Sequence, residues 1–235
     1  MIIAIDGPSG SGKSTIARCI AERVHLPYLD TGAMYRAVAL VALRKGVALD
    51  DDVKLTKIAA ETIMQFLDER EDGVLKPRVV IAGVDETTAI RTSDVSQGAS
   101  IVAVHAGVRE RLVGRQRNWI QNRQGGVVEG RDIGTVVFPE AELKIFLTAE
   151  ADERNRRRMQ DSDAPEFAEM DEGQVESELR ERDERDSNRS HSPAVSASDA
   201  LHVDTTGRDI DDVVIEILTE LRQRCGGELP MGSAH

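Results

Sequence analysis

Apolar positions along the chain fall into two rhythms. Met1 to Asp6 is a short, nearly continuous apolar run that predicts a buried strand, and after a glycine-rich turn Ile16, Ala17, Ile20, Ala21 and Val24 recur at helical spacing. Pro27 to Leu29 reads as a second strand. The following helix carries Met34, Ala37, Val38 and Val41 on one stripe and stops at Gly46. Asp50 to Asp52 offers an N-cap for a third helix bearing Val53, Leu55, Ile58, Ile63 and Phe66. From Gly73 to about Thr92 the pattern shortens to strand-like pieces, Val74 to Ile81 and Val84 to Thr88, joined near Gly83, as an inserted subdomain would.

A long helix is predicted from about Val108 to Asn122, with Leu112, Val113, Trp119 and Ile120 inward. It leads through Gly125 and Gly126 into a strand at Val127 to Glu129. Leu143 to Thr148 and Leu201 to Asp204 are further strands, and Ile210, Val213, Val214, Ile217, Leu218 and Leu221 mark a last amphipathic helix. Strands alternating with helices imply a parallel sheet covered on both faces, an α/β fold. Between Asp152 and Arg189 large apolar residues nearly vanish and charge crowds in, the pattern of a solvated helical excursion able to move. Gly226 to His235 reads as a frayed tail.

Composition narrows the chemistry. Hydrophobic residues make up 40% and charged residues 31% of 235, as in an ordinary globular protein of one or two domains. Aromatic content of 3% disfavours base-stacking platforms, and a net charge of -12 disfavours broad contact with a nucleic-acid backbone. Small phosphate ligands stay open if positive charge is concentrated locally. Cys19 and Cys225 match no metal spacing, and Cys19 reads as a core thiol. The first apolar run is broken by Asp6 and glycines, so neither a secretory leader nor a membrane span is expected, and the cytoplasm is the expected location.

Gly7-Pro8-Ser9-Gly10-Ser11-Gly12-Lys13-Ser14 fits GxxxxGK[ST] between a predicted strand and a predicted helix, the context a phosphate-binding loop requires. Its glycines let backbone amides converge on phosphates, Lys13 reaches the β and γ phosphates of ATP, and Ser14 suits magnesium. A guanine-reading Asn-Lys-x-Asp run is absent, which weakens a switch-protein reading. A kinase needs a second, arginine-rich site for an anionic acceptor. Arg36, one turn into the second helix, suits a bidentate phosphate clamp, or is a surface arginine. Arg131 and Asp132 follow a core strand at the sheet's carboxyl edge, where ligands bind, or form a local ion pair. Arg154, Arg156, Arg157 and Arg158 form one basic cluster. Arg182, Arg185, Asp186 and Arg189 share a helix face that is either a lid surface or a salt-bridged exterior.

Taken in order, the phosphate loop, Leu29 to Arg36, Ile90-Arg91-Thr92, Gly130 to Pro139, Lys144 to Leu147 and Arg182 to Pro193 resemble the signature segments of bacterial cytidylate kinases over about residues 2 to 220. The resemblance implies a P-loop nucleoside monophosphate kinase fold: a five-stranded parallel sheet with helices on both faces, a small sheet-containing insert and a helical lid. It implies one kinase domain over 1–235, with a monophosphate-binding region and insert at 31–105, the lid and its flanking helices at 150–190, and a flexible tail at 226–235. Gly7 to Thr15 would hold ATP, with Arg154 and Arg158 in or beside the lid facing it. Arg36, Arg131 and Arg189 would hold the acceptor phosphate, Arg182 and Asp186 the sugar, and Ser100, Arg109 and Asp132 would read cytosine, with Thr31 also in the CMP site. Lys13, Arg131, Arg158 and Asp132 would carry catalysis, with Mg2+ on Ser14. Glu129 departs from the family, where an Asp is expected in some relatives.

The implied reaction is in-line transfer of the γ-phosphoryl group of ATP to CMP or dCMP, driven by alignment and charge neutralisation. Cytosine offers acceptors at N3 and O2 and a donor amine at N4, which an arginine and a carboxylate complement. Uracil reverses the pattern, so CMP and dCMP should far outrun UMP. No histidine falls in a metal or triad pattern. A monomer is expected, with no nucleic-acid polymer and no membrane as partner. The rival readings are another small-molecule kinase on the same core, and a noncatalytic nucleotide-binding regulator.

Overall fold

The structure, a computed structural model, describes residues 1–71, 74–161 and 165–226; the expected tail lies, beyond Gly226, outside them. In β1 (Ile2–Asp6), Ile3 and Ile5 turn to one face and Ala4 to the other, and all three are fully buried. In β6 (Gly126–Gly130), Val127 and Val128 divide in the same way. Burial on both sides is what a parallel sheet produces, and it reads in sequence as a continuous apolar run. β2 (Tyr28–Asp30), β7 (Leu143–Thr148) and β8 (Leu201–Asp204) complete the five-stranded sheet, in order β2-β6-β1-β7-β8, with every neighbouring pair parallel.

Helices in the strand returns cover both faces of the sheet. α1 (Lys13–Arg23) and α8 (Ile210–Arg224) cover the Ile3 face, through Ile16, Ile20, Val214 and Ile217. α2 (Thr31–Arg44), α3 (Asp52–Glu61), α4 (Ser93–Val102) and α5 (Ala106–Arg123) build the thicker layer on the Ala4 face around Met34, Leu55, Val102 and Leu112. Each fully buried Leu or Ile there contributes about 1.5–3 kcal/mol. β1, β2 and β6 all run toward the same edge, so Asp6, Asp30 and Gly130 end side by side.

The inserted sheet differs from the sequence expectation. α3 stops at Glu61; Ile63 is exposed in the following turn, and Phe66 belongs to a strand, β3 (Met64–Glu71). β3 pairs antiparallel with β4 (Val74–Ile81), and the piece expected at Val84 to Thr88 contributes only β5 (Val84–Asp85). Ile63 and Phe66 fit the helical period by chance, but Phe66 is paired with Val79 across the insert. The second core strand sits one residue later than read. α4 was not anticipated because its inner face is built of small residues: a Cβ on Gly98 would stand 3.2 Å from Leu49 Cδ1 and 3.3 Å from Ala39 Cβ, and this close approach to α2 leaves little apolar periodicity to read.

The charged excursion is helical as expected, with α6 (Ala151–Met159), a short 3-10 turn at Pro165–Glu169 and α7 (Glu172–Ser187). It also has a small core of its own, Phe167, Val175 and Leu179, backed by Met159 and Met170, so it is not merely a solvated surface. Among the described residues, no helix is long and apolar enough to cross a membrane.

Candidate active site

The loop from Gly7 to Gly12 carries the chain from the end of β1 to the start of α1. Gly10 and Gly12 adopt φ of +77° and +85°, and a Cβ on Gly10 would come within 2.8 Å of Arg154 Cβ and its carbonyl oxygen. Only glycine permits that path. No acid lies in the first turn of α1, so the positive helix end stays uncompensated. Lys13 folds back over the loop, its Nζ donating to the Pro8 carbonyl at 2.6 Å and to Ser11 Oγ at 3.5 Å. Burial, then the neighbouring Arg131, pushes the Lys13 ammonium down to about 7.

Three carboxylates organise the sheet edge, two of them buried. Asp6 accepts from the Ile133 and Gly134 amides, each at 2.8 Å, and so holds the turn after β6; burial pushes it up to about 6. Glu129 accepts from the Tyr28 hydroxyl and from Ser14 Oγ at 3.1 Å; burial, then Asp30, raises its pKa. Asp30 caps α2 at the Ala33 amide, 3.1 Å away, and pairs with Arg36. Burial works against its charge, but Arg36 and Arg91 outweigh it and hold its carboxyl below the usual range.

Facing the loop is a cluster of arginines. Arg131 Nε donates to Asp186 Oδ2 at 3.0 Å, and Arg189 Nε donates to the Asp186 carbonyl at 3.1 Å. Arg109 pairs with Asp132, both almost fully buried. Arg131 and Asp132 are therefore not paired with each other: each reaches a different helix. Arg182 is driven down to about 9 by burial and then by Arg131, so the cluster holds more positive charge than its own carboxylates offset. Five buried polar atoms here have no hydrogen-bond partner among the described residues: Arg36 Nε, Arg109 Nε, Arg182 Nε, Arg189 Nη2 and Ser100 Oγ. Buried polar groups are rarely left so, and a run of donors on one wall is the mark of a site for an anionic, acceptor-rich ligand.

One cavity of about 630 Å3 joins the two halves. On the donor side it is lined by Ser9, Gly10, Gly12, Lys13, Ser14, Thr15 and Arg158; on the other by Thr31, Arg36, Ser100, Arg109, Arg131, Asp132, Arg182, Asp186 and Arg189. Gly7, Pro8 and Ser11 form the back of the loop and do not line it. Arg154 differs from its expected place facing ATP: its Nη1 turns behind the loop, 3.1 Å from the Ser9 carbonyl, and pairs with Asp183. Arg158 stacks 4.0 Å from the Phe167 ring centroid, which holds its guanidinium at the cavity rim.

Sequence reasoning assigned no role to Tyr28, Asp30, Tyr35, Arg91, Arg157 or Thr205, all of which line the cavity. Arg157 binds Thr205 Oγ1 at 2.8 Å, and Thr205 Oγ1 reaches the Ser11 carbonyl at 3.2 Å, so the turn after the last core strand also braces the loop. Asp30, Tyr35 and Arg91 lie inside the signature segments and Arg157 inside the basic cluster of the excursion; nothing short of the fold marks Thr205. Among the described residues there is no cluster of three or more His, Cys, Asp or Glu that could hold a metal.

The chain matches the family model for cytidylate kinase over residues 3–223. It is 49% identical over 217 residues to a cytidylate kinase of Desulforamulus reducens, covering 92% of this chain and 95% of that protein. With a cytidylate kinase of Solibacter usitatus it shares 46% identity, covering 95% and 93%. A bifunctional pantoate ligase/cytidylate kinase of Nostoc sp. is 46% identical, and there the chain spans 41% of the longer protein. Among solved structures, a gluconokinase from Sinorhizobium meliloti superposes with TM-score 0.50 at 16% identity, covering 94% of this chain and 91% of that one, a likeness of fold alone.

Proposed function

The chain belongs to the cytidylate kinase family and transfers the γ-phosphoryl group of ATP to CMP or dCMP, and from that premise we propose how the cavity divides the work. The loop Gly7 to Thr15 and the amino end of α1 hold the donor phosphates, and Lys13 leaves the Pro8 carbonyl for the β and γ oxygens. Arg36, Arg131 and Arg189 clamp the acceptor phosphate, with Thr31 beside them. Arg182 and Asp186 hold the sugar, and Ser100, Arg109 and Asp132 read the cytosine edge. The observation that carries this division is that Arg36, Arg109, Arg182, Arg189 and Ser100, each with a buried polar atom lacking a partner among the described residues, all line the one cavity that the phosphate loop also lines.

Transfer from one phosphate to another needs little covalent help from the protein, since the acceptor oxygen is already anionic. What the chain supplies is alignment and a positive wall: Lys13, Arg131 and Arg158 neutralise charge spreading over the transferring group. Asp132 acts one step back, by holding Arg109 and the base in register. Closing of the excursion between Ala151 and Ser187 as a lid would keep water from competing with the acceptor. Ser14 Oγ and the Glu129 carboxylate, 3.1 Å apart at the head of α1, form an all-oxygen set suited to magnesium with ATP phosphates. Ser14 would bind the ion directly and Glu129 would steady it from just outside its ligands. The ion supplies charge neutralisation on the phosphates.

We further propose a monomer, since both halves of the cavity come from one chain, acting on free nucleotides in the cytoplasm. Arg154 serves ATP only through the loop it braces. Release of ADP, measured with CMP, dCMP, UMP and AMP as acceptors, tests the reading: turnover with CMP and dCMP far above UMP and AMP is expected, and equal turnover of all four would refute the base-reading assignment.

A further inference from the structure

We propose that Asp183 is a positioning residue that ties the acceptor helix to the phosphate loop, orienting the Pro8–Ser9 peptide and through it the Lys13 ammonium; the proposal rests on the acceptor assignment above. Asp183 Oδ1 accepts from the Ser9 amide at 3.3 Å. The carbonyl of that same peptide unit, on Pro8, accepts from Lys13 Nζ at 2.6 Å and from Ser11 Oγ at 2.9 Å. A peptide unit is planar, with its N–H and C=O directed oppositely, so a tilt imposed at one end is felt at the other. The Asp183 carboxylate therefore sets where Lys13 rests before ATP arrives.

The next peptide is held as well. Arg154 Nη1 donates to the Ser9 carbonyl at 3.1 Å and closes the ring by pairing with Asp183 Oδ2. Ser9 thus has its amide on α7 and its carbonyl on α6, while Gly10 lies against the backbone of Arg154, with no room for a side chain. Side chains and loop amides are part-buried, so the three-membered ring is sheltered from competing water.

What makes this more than a brace is the adjoining face of α7. Arg182, one residue earlier, and Asp186, three later, line the acceptor side of the cavity, and Asp186 carries Arg131. One rigid helix turn therefore touches the acceptor groups and the donor loop together. Any reorientation of α7 driven by CMP is handed to the Pro8–Ser9 peptide and to Lys13, and by reciprocity ATP binding alters the affinity for CMP by the same factor.

The test is titration of the full-length enzyme with a nonreacting ATP analogue, with and without saturating CMP. In the wild type, CMP should tighten the analogue by roughly 5- to 150-fold, the usual span of coupling between sites. In Asp183→Asn that factor should fall to within about twofold of one, KM for ATP should rise, and affinity for CMP alone should stay within about twofold of wild type. Arg154→Gln, which breaks the ring but leaves the carboxylate, should show an intermediate loss and serves if Asp183→Asn folds poorly. A factor of one in the wild type, an unchanged factor in the variants, or a parallel loss of CMP affinity in both variants would overturn the proposal. Arg182→Met separates the premise: unchanged CMP affinity there refutes the acceptor assignment whatever Asp183 does.

Discussion

Replacing Asp132 by Asn takes one charge from a buried pair and turns one carboxylate oxygen into a donor, the reversal that distinguishes uracil from cytosine at position 4. Arg109 and Asp132 are 3% and 5% exposed, so a mismatched base cannot recruit water in their place. Facing UMP, the native pair meets an oxygen where the carboxylate wants a donor and an N–H where the arginine wants an acceptor. Two unsatisfied buried groups at about 1–3 kcal/mol each make about 2–6 kcal/mol, or roughly 30-fold to 20,000-fold in kcat/KM in favour of CMP. In Asp132→Asn the new side-chain amide can turn its nitrogen to the uracil oxygen and its oxygen to Arg109. That removes one mismatch for UMP and creates one for CMP, so the ratio should drop by at least about tenfold, the equivalent of about 1.4 kcal/mol. Initial rates of ADP release with CMP and UMP measure it. Asp132→Ala is the harsher companion: it strands Arg109, at about 3–5 kcal/mol for a broken buried pair, and its folding must first be checked by thermal melting. A folded Asp132→Asn enzyme with the native CMP to UMP ratio would refute the base-reading role.

Other consequences follow from the same geometry. Gly10→Ala puts a Cβ at φ +77° within 2.8 Å of Arg154, at about 1–2 kcal/mol for the backbone alone, so KM for ATP should rise about tenfold while CMP affinity holds; an unchanged ATP constant would show the loop to be yielding. With Lys13 near 7 in the empty enzyme, at pH 8 it is mostly neutral, and donor phosphates favour its charged form; ATP binding should therefore take up protons, seen as a buffer-dependent heat, and Lys13→Met should abolish that dependence. Asp6, raised by burial from 3.8 to about 6, gives stability that is complete below pH 3.8 and lost as pH rises through 6, by about 3 kcal/mol in all. Urea unfolding of wild type and Asp6→Asn should accordingly diverge across pH 4 to 6 and run parallel above about 7. Parallel curves throughout would mean that Asp6 is not the group responsible.

How much of this was legible in sequence follows from where the information sits. The phosphate loop is local: its glycines, Lys13 and Ser14 are adjacent, and the strand and helix around it follow from Ile3, Ile5, Ile16 and Ile20. The core strands were legible because double-sided burial leaves an apolar run. The insert was half legible, since β4 and β5 meet at a tight turn through Gly83, while Phe66 of β3 lies three positions after Ile63 and mimics a helix face. α4 was invisible for a physical reason: it packs by closeness rather than by bulk, with Gly98 and Ala99 inside. Most acceptor residues lie in signature segments, and Ser100 and Arg109 were named through the resemblance alone, yet the pairing was not legible: Arg131 goes to Asp186 and Asp132 to Arg109, across 55 and 23 positions of chain.

Those cross-chain pairings also explain how a chain of net charge -12 keeps a site for anions. Each of these carboxylates at the cavity is committed to an arginine: Asp30 to Arg36, Asp132 to Arg109, Asp186 to Arg131. Their charge orients the arginines, but it leaves Arg182 and Lys13, both depressed in pKa by burial first and by Arg131 next, without full compensation. Bringing like charges together in a dry site is unfavourable in the free enzyme, and a nucleotide phosphate relieves it at each end. Donor and acceptor phosphates share one deficit around Arg131, whose charge acts on both Lys13 and Arg182. A bound anion at either end then eases the field felt by the other, so the electrostatics and the Asp183 linkage push the coupling in opposite directions: shared relief weakens the second nucleotide, and the braced loop strengthens it. Raising the ionic strength screens the first effect more than the second, since the hydrogen-bonded ring around Ser9 is short-ranged. Coupling between ATP analogue and CMP should therefore grow more positive with added salt, and a decline would refute the opposing contribution of the shared charge around Arg131.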